Sequence, residues 1–128
     1  MRLSLDTHAF LWWLTDSPKL STAARAAISD PENEALVSAV VGWECATKFR
    51  LGKLPQAERF VARADDVTRR AGMVSLVVTL DHAVRAGSYS TAHSDPFDRM
   101  LAAQAELDGL ILVTRDPAFR QFPVNVLW

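Results

Sequence analysis

Leu110-Ile111-Leu112-Val113-Thr114-Arg115-Asp116 is a short apolar run that ends in a carboxylate, and Leu3-Ser4-Leu5-Asp6, near the start of the chain, is built the same way. Runs of this length read as strands, and each closes on an acid at its carboxyl end. In open α/β sheets that edge is where ligands bind. Outward from these two runs, Glu34 to Ser38, Met73 to Val78 and Val124 to Leu127 read as further strands. Helical stretches separate them. Thr7 to Leu14 follows the first strand, with Thr7 a candidate cap, and Ser21 is a good N-cap for a helix through Ile28. From Ala39 to Arg50 the apolar positions Val40, Trp43, Ala46 and Phe49 recur at helical spacing. Gln56 to Ala71 reads as one helix with Phe60, Ala64 and Val67 on its buried stripe, and Leu80 to Ser88 as another. Asp95 is expected to cap a helix that starts at Pro96 and runs to Leu107, before Asp108-Gly109 turns the chain. Strands alternating with helices predict an α/β fold, a three-layer α/β/α sandwich with a central, mainly parallel sheet.

At 128 residues the chain is of single-domain size, and its 49% apolar content supports a substantial core. Lys and Arg total 14 against 15 Asp and Glu, a net charge of −1, so no general field draws in a polyanion. Nucleic acid must therefore be held locally. The lone cysteine, Cys45, excludes an internal disulfide and reads best as a small buried hydrophobe. No signal peptide is expected at the start, and no window approaches the ~18 apolar residues of a membrane span. A soluble cytoplasmic protein is the expectation.

Four acids carry the chemistry: Asp6, Glu44, Asp98 and Asp116. Each has a structural reading of its own. Asp6 suits a helix cap, Glu44 precedes Lys48 at ion-pair spacing, Asp98 falls in a first helical turn, and Asp116 suits a turn before Pro117. Glu44 is the most telling, because an unpaired carboxylate in an otherwise apolar helical segment is costly. Gathered at one sheet edge, the four would hold protons unless a hard divalent cation neutralised them, and oxygen-only donors select Mg²⁺ or Mn²⁺. Asp6 and Asp98 are expected to ligate directly, with Glu44 and Asp116 orienting water or holding a second ion. A metal-dependent enzyme acting on phosphate esters follows. Thr7, beside Asp6, is expected to orient that carboxylate or a metal-bound water. Lys48, Arg50, Lys53, Arg99 and Arg115 are candidates to ring the cleft and touch phosphate. His8, His82 and His93 lie in separate segments without zinc spacing, and His93 is expected to be a loop residue. No nucleophile elbow or glycine-rich phosphate loop occurs. Trp12 and Trp13 are adjacent on a helix, so both cannot face one core.

Leu5-Asp6-Thr7-His8, Trp43-Glu44 with Lys48 and Gly52-Lys53-Leu54, Asp95-Pro96-Phe97-Asp98-Arg99 and Thr114-Arg115-Asp116 together resemble the PIN-domain ribonucleases, and among them the VapC-type toxins of toxin-antitoxin pairs. The resemblance covers nearly the whole chain, as one domain over residues 1–128. It implies that Asp6, Glu44, Asp98 and Asp116 form an acidic Mg²⁺ site, with Asp95 the less favoured acid of its motif and Thr7, Lys48, Arg99, Thr114 and Arg115 in support. It also implies cleavage of RNA to a 5′-phosphate and a 3′-hydroxyl, a homodimer, and a small antitoxin that wraps the early helices. Two alternatives stand beside it: a receiver-like phosphoacceptor domain, and a binding module with a residual metal site.

Overall fold

The computed structural model describes residues 1–128. Five parallel strands form one sheet in the order β3-β2-β1-β4-β5: β1 (Arg2–Leu5), β2 (Glu34–Ser38), β3 (Val74–Leu76), β4 (Ile111–Val113) and β5 (Asn125–Leu127). The central strand β1 is buried at Leu3, Ser4 and Leu5, and Leu112 and Val113 of β4 are buried beside it. A parallel sheet covered on both faces demands such continuous burial. Seven α-helices supply the cover: α1 (Thr7–Leu14), α2 (Thr22–Ser29), α3 (Ala39–Arg50), α4 (Glu58–Ala62), α5 (Ala64–Arg70), α6 (Leu80–Ser88) and α7 (Pro96–Asp108). With this strand order, the right-handed crossover rule assigns α1 to α5 to one face and α6 with α7 to the other. The α/β/α sandwich expected from the sequence is the fold observed.

Chain direction across the sheet decides where a ligand can sit. From β1 the chain moves outward to β2 and β3, then crosses back to β4 on the other side of β1 and continues to β5. The order therefore reverses between β1 and β4, and such a switch point opens a crevice at the carboxyl ends of those two strands. Leu5 pairs with Val113 there, and Asp6 and Thr114 are the next residues on each strand.

Three expectations need correction. The helix read from Gln56 to Ala71 is a 3₁₀ turn (Pro55–Ala57) followed by α4 and α5, broken at Arg63 (φ −143°, ψ 52°), and Ala64 is exposed. No Gly or Pro marks that break, so packing sets it. In α3 the buried face is Val40, Val41, Glu44 and Cys45, while Trp43 is 57% exposed and Ala46 is also exposed. A three-residue spacing drifts around a helix by roughly 60° per step, so Val40, Trp43, Ala46 and Phe49 cannot share one face. Finally, Asp6 rather than Thr7 caps α1, its Oδ1 accepting from Ala9 N at 2.8 Å.

Other expected starts and stops match. Ser21 caps α2, Asp95 caps α7 behind Pro96, and Gly109 takes the left-handed conformation (φ 65°) that ends α7. Cys45 is buried in the core. Gln104, wholly buried on α7, accepts from Ser38 Oγ at 2.6 Å and donates to the Val77 carbonyl at 3.1 Å. Those two bonds tie the carboxyl ends of β2 and β3 to the helix that carries Asp98.

Candidate active site

A cleft of about 380 Å³ opens at the switch point, and Asp6, Glu44, Asp95, Asp98 and Asp116 all line it. Each comes from a different local device. Asp6 leaves the end of β1; besides capping α1 it accepts from Thr114 Oγ1 at 2.5 Å through Oδ2. The Thr114 hydroxyl also accepts from Asp116 N at 3.0 Å, joining the acids that follow β1 and β4. Glu44 projects from the buried face of α3, accepts from Thr7 Oγ1 at 2.5 Å, and is ion-paired to Lys48 one turn on. Thr7 thus orients Glu44, and Thr114 does for Asp6 what had been expected of Thr7. Asp98 lies in the first turn of α7 and accepts from His93 Nε2 at 2.8 Å, with the ring proton placed on that nitrogen. Asp116, exposed, caps the 3₁₀ turn Pro117–Gln121 by accepting from Ala118 N. Asp95 spends Oδ1 on the amides of Phe97 and Asp98.

Electrostatics mark these acids as a group. Burial pushes the Asp98 carboxyl up to about 6; the His93 hydrogen bond pulls the other way, and the charges of Asp95 and Glu44 add to the rise. Burial also raises Asp6, against the bonds from Thr114 and Ala9, and Glu44 again contributes. For Lys48, burial favours the neutral amine, yet the hydrogen bond and charge of Glu44 prevail and raise it. Acids that hold one another's protons need a cation, and Lys48 supplies only one charge.

The donor set suits a hard divalent ion, since every candidate atom is a carboxylate oxygen. No three of these side chains stand close enough to cage an ion unaided. Mg²⁺ does not require such a cage: it is commonly held by one or two carboxylates, its own waters and substrate phosphate. Asp6 and Asp98 both line the cleft.

The remaining candidates divide. Lys48 and Arg115 line the cleft; Arg50 and Lys53 do not. Arg99 donates to the carbonyls of Ala86, Gly87, Tyr89, Thr91 and His93, so it braces the loop before α7, and it does not line the cleft. His93, expected as a loop residue, sits in that loop and holds Asp98. The sequence carried one signal for this, the five-residue spacing of His93 to Asp98 across a capping Asp-Pro. His8, the last residue of the Leu5-Asp6-Thr7-His8 run, and Trp12 also line the cleft. A receiver-like site finds no counterpart, because the third strand of the chain ends at Leu76-Val77 with no acid.

Comparison with known proteins agrees with this fold. The PIN domain family model matches residues 3–125. Ribonuclease VapC16 of Mycobacterium tuberculosis is 41% identical over 70 residues, which span 52% of the chain and 48% of that relative, about half its length. Ribonuclease VapC22 of the same organism is 29% identical over 125 residues, 91% of the chain and 88% of the relative. Among solved structures, VapBC2 from Rickettsia felis bound to a promoter DNA fragment superposes with a TM-score of 0.69 at 16% identity, covering 99% of this chain and 98% of that one. FitAcB from Neisseria gonorrhoeae gives 0.63 at 22% identity, covering 98% and 96%. At such identities the structural likeness establishes the fold.

Proposed function

This chain belongs to the PIN-domain family, and from that premise we propose that it is a Mg²⁺-dependent endoribonuclease, with Mn²⁺ as a substitute ion, acting as the toxin of a toxin-antitoxin pair. One observation carries the reading: Asp6, Glu44, Asp98 and Asp116, from four separate segments, line one cleft at the sheet's switch point. When bound, the ion would polarise a phosphoryl oxygen and lower the pKa of a water enough for hydroxide to be available for attack on phosphorus near neutral pH. Asp6 and Asp98 hold the ion. Glu44, fixed by Thr7 and Lys48, and Asp116 orient water for attack, leaving a 5′-phosphate and a 3′-hydroxyl. Lys48 and Arg115 place positive charge where the scissile phosphate must lie. His93 aims the Asp98 carboxylate and favours its ionised form against the effect of burial.

The proposed partners have surfaces to meet. A groove of about 420 Å³ lined by Leu11, Trp13 and Leu14 of α1, Phe60 of α4 and Val67 of α5 supports a small antitoxin docking on the early helices. Beside the edge strand β3, Val77, Leu80, Val84 and Leu107 are exposed, which supports a homodimer. No helix is long and apolar enough to cross a membrane; a cytoplasmic setting remains part of the proposal.

Purified protein incubated with total RNA and Mg²⁺ tests the activity. Cleavage is expected, with losses of at least about a hundredfold in Asp6→Asn and Asp98→Asn and on chelation. Intact RNA with the native chain, together with no Mn²⁺ binding by calorimetry, would instead favour the residual binding module.

A further inference from the structure

Adjacent tryptophans on α1 serve two different concavities: Trp13 lines the apolar groove, and Trp12 lines the acidic cleft. Around Trp12 three groups gather, His8 from one turn earlier on α1 and Arg115 and Trp128 from the far end of the chain. The Arg115 guanidinium carbon lies 4.4 Å from the Trp12 ring centroid, His8 is 5.5 Å away at 45°, and Trp128 is 5.9 Å away at 59°. His8 and Arg115 are exposed, while Trp12 and Trp128 are half-buried. The two cations of the cleft differ. Lys48 is committed to Glu44, whereas Arg115 has no ion-pair partner despite the nearby acids and rests only on the indole.

On the nuclease reading, a substrate must enter a cleft whose acids repel its phosphates, on a protein with no net positive charge to attract it. Binding energy that does not depend on charge is then needed, and a nucleobase stacked on an aromatic side chain provides it. We infer that Trp12, with His8 and Arg115 beside it, is a seat for an unpaired nucleobase of single-stranded RNA, flanking the phosphate that is cut. An arginine resting on an indole still has in-plane N–H donors for phosphate, so one pair of side chains grips both the base and the backbone of a nucleotide. Every base presents a π-face, so the seat selects unpaired strands without selecting a letter. Duplex RNA keeps its bases stacked and paired, out of reach of this wall. The inference rests on the proposed nuclease function but is separable from it.

The test measures binding to the Asp98→Asn chain, in Mg²⁺, of a single-stranded uridine octamer and of the same ribose-phosphate backbone without bases. The octamer is expected to bind about tenfold more tightly than its base-free counterpart. Because Trp12 packs partly against the core, two replacements are compared. Trp12→Leu keeps apolar bulk and should abolish the preference for bases; Trp12→Phe keeps a π-face and should retain most of it. Arg115→Ala should weaken both ligands alike. If Asp98→Asn binds octamer and base-free backbone equally, or if Trp12→Leu keeps the preference, the seat is refuted while the nuclease stands. Should the native chain cut no RNA and Asp98→Asn bind none, both readings fall together.

Discussion

Asp98 and Glu106 lie on the same helix about two turns apart, yet their surroundings oppose one another. Glu106 receives both Arg85 guanidinium donors at 2.9 Å and the Tyr89 hydroxyl at 2.5 Å, and these bonds hold its carboxyl below the usual range. Asp98 has one histidine donor, faces Asp95 and Glu44, and is pushed up to about 6. One carboxylate is satisfied by its fold; the other is left wanting a cation. A helix can thus use the same chemistry to pin α6 to α7 at one end and to hold a frustrated acid at the other, and frustration of this kind is characteristic of functional sites.

Exchanging each acid for its amide should separate the two ends most sharply. Asp98→Asn is expected to abolish RNA cleavage while raising unfolding free energy at pH 7 by roughly 1–3 kcal/mol, because a buried charge is removed. Glu106→Gln should do the reverse, leaving cleavage within about twofold and lowering the melting temperature by a few degrees. Chemical denaturation and an RNA cleavage assay on both variants decide this, and a stabilised Glu106→Gln would erase the contrast.

The next effect concerns pH. Asp98 holds its proton in the folded chain through a window from its ordinary value near 4 up to about 6, where the unfolded chain has lost it. The folded state binds more protons there, so metal-free stability falls as pH rises through that window and the cost is complete above it. A bound divalent ion removes the cost. Mg²⁺ should therefore raise the melting temperature more at pH 7 than at pH 5, and an equal rise at both would count against Asp98 as a ligand.

The smallest effect is expected from His93→Phe. Losing the donor to Asp98 Oδ2 should move the acidic limb of the pH–rate profile upward, lowering the rate at pH 7 by no more than about tenfold, while Glu106 and its partners are untouched. An unchanged limb would show that His93 merely fills the loop.

The sequence alone determined most of the elements and their order. Alternating strands and helices, the caps at Ser21 and Asp95, the stop at Gly109 and the acids closing two strands are local signals, written in residues next to one another. Only the tertiary structure decided who serves whom. Thr114 meets Asp6 across 108 positions, Thr7 meets Glu44 across 37, and Arg99 turns its charge to loop carbonyls instead of the cleft. The break at Arg63 and the exposure of Trp43 belong to the same class. Backbone propensity acts over a turn or two of chain, whereas a side chain's partner depends on which distant segment the sheet order brings alongside it.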